Sequence, residues 1–185
     1  MKPLTNLGYM NLRFLSKPAA DRVIYKTIKA HQVRSMVEIG MGDGSRCVNM
    51  IRAAKKFGIK NIRYTGVDLF DGRPEDQDEL LLKSMHKRVN QMEIKSQLVP
   101  GDTLNAIRRI ANSHTRTDLI VISAGYDPEL LQAAWFYAPR MLHANSVVLK
   151  QPSENGSGTF ELLNRLEVER LVAGNDSQSK QSVAA

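Results

Sequence analysis

Residues 36–46, Met36-Val37-Glu38-Ile39-Gly40-Met41-Gly42-Asp43-Gly44-Ser45-Arg46, decide how the rest of the chain is read. The run Met36-Val37-Glu38-Ile39 has the length and apolar character of a buried strand. It leads into Gly40-x-Gly42-x-Gly44, and a helical pattern opens at Ser45. Three closely spaced glycines at a strand-to-helix turn let the backbone bend sharply. They also let it approach a ligand with no Cβ in the way, beside the free amides of a helix N-terminus. With a strand before it and a helix after it, the segment reads as a nucleotide-type site rather than a glycine-rich turn.

Spacing narrows the ligand. A dinucleotide fingerprint, Gly-x-Gly-x-x-Gly/Ala, needs its third small residue at position 45. Here that position is Ser45, the third glycine comes one residue early, and Glu38 precedes the first glycine by two. Glu38-x-Gly40-x-Gly42-x-Gly44 resembles the first motif of the class I S-adenosylmethionine (SAM)-dependent methyltransferases. The later pattern, over about residues 20–150, is nearest to small-molecule O-methyltransferases of the catechol type and their relatives. The resemblance implies SAM as cofactor and methyl transfer as activity.

Bulk properties agree with one globular domain. The chain has 185 residues, 42% hydrophobic and 24% charged, enough for a substantial core. No apolar run approaches the ~18 residues of a membrane span, and no secretory signal pattern opens the chain. The single cysteine, Cys47, rules out an internal disulfide framework and suits a reducing, cytoplasmic setting. The net charge of +7 is uneven, with 13 Lys/Arg against three acids in residues 1–66. Such a surface could attract nucleic acid. No aromatic residue is interleaved as a stacking platform, however, so a solvated basic face is the better reading.

Strand and helix patterns alternate, which predicts an α/β fold. The expected form is a Rossmann-like, doubly wound, mostly parallel sheet with helices on both faces. Helices are expected at 18–31, 45–57, 77–92, 103–112 and 128–141, and strands at 36–40, 62–69, 95–99, 118–123 and 146–150. Residues 159–172 lean toward helix at their start, with Leu166-Glu167-Val168-Glu169 suggesting a strand. Only 35 residues follow Lys150, so the closing hairpin of a full methyltransferase sheet is expected to be abbreviated. A bare sheet edge there would suit a homodimer. The domain is bounded as an N-terminal arm or lid at 1–17, a SAM-binding methyltransferase-like domain at 18–174, and a disordered tail at 175–185.

In open α/β sheets ligands lie beyond the carboxyl ends of the strands. The glycine loop (Gly40, Gly42, Gly44, with Glu38) follows the first strand. The second ends in Asp68-Leu69-Phe70-Asp71, where a carboxylate can accept hydrogen bonds from both ribose hydroxyls of an adenosine. Leu69 and Phe70 are then candidates to pack on the adenine, while Asp71 suits a turn. The third strand ends in Gly101-Asp102-Thr103, which resembles the superfamily's adenine-contacting turn; Asp102 equally suits a helix N-cap. After the fourth come Ser123-Ala124-Gly125-Tyr126-Asp127. The catechol-type relatives usually carry acids or a histidine here to bind a divalent cation. Ser123, Gly125 and Tyr126 depart from that pattern, and Asp127 alone supplies too few oxygen ligands. No metal is therefore expected. Ser123 is assigned to the cofactor pocket, and Tyr126 and Asp127 are the candidate catalytic contacts to a small-molecule acceptor.

Two other readings stay open. One is a catalytically inactive methyltransferase-like module that keeps SAM or a partner. The other is a nucleotide-dependent oxidoreductase, which the early third glycine disfavours. His31, His86, His114 and His143 are scattered without ligand spacing.

Overall fold

The structure is a computed structural model that describes residues 4–152 and 158–182, with side chains described as far as Ala173. Strands β1 (Ser35–Ile39), β2 (Arg63–Asp68), β3 (Lys95–Pro100), β4 (Thr117–Ile122), β5 (Leu142–Lys150) and β6 (Glu161–Asn164) form one sheet. Their order is β3-β2-β1-β4-β5-β6. The first five run parallel, and β6 pairs antiparallel to β5. The order reverses between β1 and β4, which is the switch point where such sheets open a crevice.

Side chains alternate across the sheet and build a core on each face. Met36, Leu119, Val121, Val147 and Leu149 face one core, beneath helices α1 (Asn6–Phe14), α2 (Arg22–His31), α3 (Ser45–Lys56) and α4 (Leu82–Asn90). Val37, Ile39, Ile120, Ile122 and Val148 face the other. That side is covered by α5 (Thr103–Ile110), α6 (Pro128–Ala134), α7 (Ala138–Met141) and α8 (Arg165–Ser182). Burial on both faces explains why these strands read as continuous apolar runs.

Several elements differ from the sequence expectation. Helix α4 starts at Leu82 rather than 77: Leu81 before it is extended, at φ −69° and ψ 125°, and Leu80 is buried in the core from the loop rather than from a helix. The expected 128–141 helix is two, α6 and α7. Pro139 lacks an N–H and its ring would collide with the carbonyl four residues back, so a continuous helix cannot form. Residues 159–172 are the reverse of the expectation, strand first and helix after. Leu163 is buried opposite Val148 in β6, and Asn164 and Glu167 then close a reciprocal N-terminal cap. The Glu167 N–H donates to Asn164 Oδ1 at 3.0 Å and the Asn164 N–H to Glu167 Oε2 at 2.6 Å. A single antiparallel strand follows β5 among the described residues. The polar stretch from Asn175, expected as tail, continues the α8 backbone to Ser182. Extending a helix nucleated at its cap is far easier than starting one. Residues 183–185 of that expected tail lie outside the described residues.

Of the expected N-terminal arm, residues 1–3 lie outside the described residues. Helix α1 rests on α2 and α3 through Leu4, Tyr9 and Leu12. The Tyr9 ring meets Phe57 edge-on at 4.5 Å, at the end of α3 remote from the glycine loop.

Candidate functional site

A cavity of about 800 Å³ opens at the carboxyl ends of β1, β2, β3 and β4. Its floor is the glycine loop. Gly40 and Gly42 hold positive φ of 76° and 57°, the left-handed region that favours glycine. A Cβ on Gly42 would meet nothing within 4 Å, so the loop is open to the cavity there. Gly44 is different. It is buried and off the cavity wall, and a Cβ there would collide with Met85 of α4. Its role is to let α3 and α4 pack closely.

Asp68, at the tip of β2, is 8% exposed and reaches across to the glycine loop. Its Oδ2 accepts the Met41 N–H at 2.7 Å, and its Oδ1 accepts the Phe70 N–H at 3.2 Å. Arg73 completes the set, with Nε donating to Oδ1 and Nη2 to Oδ2, both at 2.7 Å. Burial alone would raise the carboxyl, but the Arg73 guanidinium and these two amides hold it below its ordinary range. Leu69 is 38% exposed and lines the cavity, whereas Phe70, 1% exposed, belongs to the core.

Asp102 and Thr103 lie on the third-strand side of the cavity. Asp102 caps α5, its Oδ1 accepting the Asn105 N–H at 2.9 Å. The Asn105 backbone and side-chain amides hold its carboxyl below the ordinary range. On the fourth-strand side, Ser123 donates from Oγ to the Gly40 carbonyl at 2.6 Å. Tyr126 donates from its hydroxyl to the Gln151 carbonyl at 3.1 Å. Asp127 is exposed at the rim and caps α6 through the Glu129 and Leu130 amides. Ser123, Tyr126 and Asp127 all line the cavity.

Glu38 does not. It is fully buried behind the loop, where its Oε2 accepts the Tyr64 hydroxyl at 2.5 Å and its Oε1 lies 3.7 Å from Arg46. Burial pushes its carboxyl up to about 7, against the pull of Arg46 and Tyr64. Arg46 links this interior to the cavity. Its Nε donates to Asp21 at 3.0 Å and its Nη1 to Ser123 Oγ, and it forms part of the wall. The Cys47 thiol is buried and driven upward by desolvation. None of the four histidines, and none of residues 4–17, lines the cavity. Among the described residues no cluster of three or more His, Cys, Asp or Glu could hold a metal ion.

The chain matches no protein-family profile and no curated protein by sequence. Solved structures do match it. A candidate caffeoyl-CoA O-methyltransferase from Staphylococcus aureus superposes with a TM-score of 0.53 at 14% identity, covering 95% of this chain and 80% of that one. The TDP-rhamnose 3′-O-methyltransferase of calicheamicin biosynthesis gives 0.51 at 17% identity, over 82% and 66%. A candidate protein-L-isoaspartate O-methyltransferase from Plasmodium falciparum, solved with S-adenosylhomocysteine, gives 0.50 at 13%, over 81% and 72%. The fold is that of the class I methyltransferases.

Within this methyltransferase fold, sequence reasoning overlooked Arg46, Arg73 and Gln151 in the cavity wall. Arg46 carried a usable signal, being the second residue of the helix that opens at the glycine loop. Arg73 carried none, because a lone cation in an acidic loop reads as solvated.

Proposed function

We propose that the chain is a SAM-dependent methyltransferase acting without a metal on a small-molecule acceptor. One observation carries the reading. Asp68 at the β2 tip is hydrogen-bonded to the glycine loop at Met41, so acid and loop form a single cradle on one cavity. The cradle fits an adenosine-bearing ligand: Gly42 leaves open space where a Cβ would stand, and a buried carboxylate suits ribose hydroxyls. The similar fold of proteins titled O-methyltransferases supports the same reading.

In this assignment Gly40, Gly42 and Ser123 hold the methionine end, Asp68 the ribose, and Leu69, Asp102 and Thr103 the adenine. Glu38 and Gly44 act indirectly, the first through Arg46 and the second through helix packing. SAM, when bound, supplies an electrophilic sulfonium methyl. The protein's contribution is then orientation of an acceptor for in-line displacement. Tyr126 and Asp127, which line the same cavity after β4, are the groups available to hold that acceptor or take its proton.

A binding module without transfer is the second reading. It is favoured by the fact that the Tyr126 hydroxyl and the Asp127 carboxylate both already serve local structure. Calorimetry with SAM, S-adenosylhomocysteine and NAD tests the first step. SAM and its demethylated product are expected to bind, NAD is not, and Asp68→Ala should weaken binding at least about tenfold through lost charge-assisted bonds. Binding of NAD alone would overturn the assignment. Release of S-adenosylhomocysteine during incubation with SAM and a panel of hydroxylated small molecules separates enzyme from module.

A further inference from the structure

With all four hydrogen bonds at Asp68 in place, its carboxylate has no acceptor position for a ribose until one pair of donors leaves. Both oxygens are filled twice, by two backbone amides and by the Arg73 fork. Arg73 is itself held from three sides. Besides its two bonds to Asp68, Nη2 donates to the Gly42 carbonyl at 2.8 Å and Nη1 to the Asp78 carbonyl at 2.6 Å. The guanidinium therefore bridges the second-strand acid, the glycine loop and the acidic stretch whose Asp76, Gln77 and Asp78 line the cavity mouth. The side chains of the pair are only 8% and 6% exposed, so water does not screen their attraction as it would at a surface.

We propose that Arg73 sets the selectivity of the nucleoside subsite by competing with the ligand for Asp68. This rests on the reading of the cavity as a SAM site. The two ribose hydroxyls of a bound nucleoside supply two donors to Asp68, the same number that the Arg73 fork supplies. One set replaces the other. The displaced guanidinium has acidic neighbours, since Asp76 and Asp78 line the same cavity. Those carboxylates also disfavour a ligand carrying phosphate next to its ribose, because it would meet like charge. The subsite thus selects an unphosphorylated ribose that donates through both hydroxyls. A ligand lacking either hydroxyl cannot replace the fork.

The experiment compares S-adenosylhomocysteine binding to the wild-type chain, Arg73→Ala, Arg73→Lys and the double variant Asp68→Ala/Arg73→Ala, each checked for a native melting transition. If the fork occupies Asp68 in about nine molecules of ten, removing it raises apparent affinity about tenfold. Arg73→Ala is therefore expected to bind about tenfold more tightly than wild type. Arg73→Lys, which cannot bind bidentately, should fall between them, and the gain should vanish in the double variant. A 2′-deoxy analogue should lose more affinity in the wild type than in Arg73→Ala. Binding by Arg73→Ala that is equal to or weaker than wild type overturns the proposal.

A second measurement uses the intact chain alone. The Nε–H resonance of Arg73, identified by its absence in Arg73→Lys, should be protected from solvent exchange in the free protein and lose protection on ligand binding. Unchanged protection means that Arg73 stays on Asp68 and the proposal fails even if the ligand binds. If no variant binds S-adenosylhomocysteine, the SAM reading itself falls, and this proposal with it.

Discussion

Replacing Glu38 with Gln should change how stability depends on pH, with a sign that the structure fixes. Glu38 is fully buried, with its Tyr64 donor at 2.5 Å and Arg46 at 3.7 Å, and its carboxyl rises from 4.5 to about 7 because burial outweighs both partners. In the unfolded chain the group titrates near its ordinary value. Between pH 4.5 and 7 the native state therefore keeps a proton that the unfolded state has lost, and stability must fall as pH rises through that window. The disadvantage is absent below the window and complete above it. At about 1.4 kcal/mol for each pH unit that the window spans, it amounts to about 3 kcal/mol. A glutamine of the same shape can still accept from Tyr64 and has no charge to desolvate. Urea unfolding of both proteins at the foot of the window, near pH 4.5, and above it, near pH 8, measures the difference. The Glu38→Gln chain should gain about 3 kcal/mol relative to wild type on going from the lower pH to the higher. Asp43, Asp102 and His114 also titrate differently once folded, but they lie outside the groups that act on Glu38, so their contributions are common to both proteins and cancel. Asp21 and Asp68, whose charges help to raise Glu38, are relieved with it in the variant. Stability curves that run parallel across the whole window would refute the reasoning.

Gly44→Ala should cost about 2–3 kcal/mol in urea melts, from a left-handed backbone at φ 72° and displacement of Met85. Its loss in ligand affinity should stay small, since Gly44 is off the cavity wall; a large affinity loss at unchanged stability would contradict the packing role. Methyl transfer should be insensitive to EDTA, and activity abolished by EDTA and restored by magnesium would count against metal independence. Amides of α1 should exchange at the same rate with and without S-adenosylhomocysteine, as befits an arm anchored by Tyr9 on Phe57. Protection of α1 on ligand binding would instead identify a lid.

Most of the sheet was legible because its strands are buried on both faces, which writes them as apolar runs such as Leu119–Ile122, followed by turn residues at Gly125 and Pro128. Glu38 shows the limit of that reading. In sequence an acid beside a glycine motif looks like a ligand contact, yet strand alternation turns Glu38 toward the same core as Met36 and away from the cavity. Asn164-Arg165-Leu166-Glu167 did contain its helix cap, but the alternation Leu166-x-Val168 competed with it. The cap wins because the strand's pairing with β5 ends at Asn164. Arg73 was illegible for a different reason. Its position follows from a loop folding back over the β2 tip, and no local pattern encodes that return. Pro139 lies within the expected 128–141 helix and marks its break, a signal that the apolar pattern running through residues 128–141 masks.

The reversal of direction at β6 has a consequence for how this chain can change over time. Every parallel strand delivers its following residues to the cavity end of the sheet, so each substitution there is exposed to selection on ligand binding. Strand β6 runs the other way and leads the chain away from that end into α8. Val168 is tied to the core beneath the sheet, but Leu166 and Leu171, 62% and 39% exposed, answer to no contact with the cavity. Sequence drift should accumulate on the outer side of α8 faster than in the turns after β1, β2 and β4. A library randomised at positions 166, 169, 170 and 171 should retain ligand binding at a much higher rate than one randomised at four cavity positions.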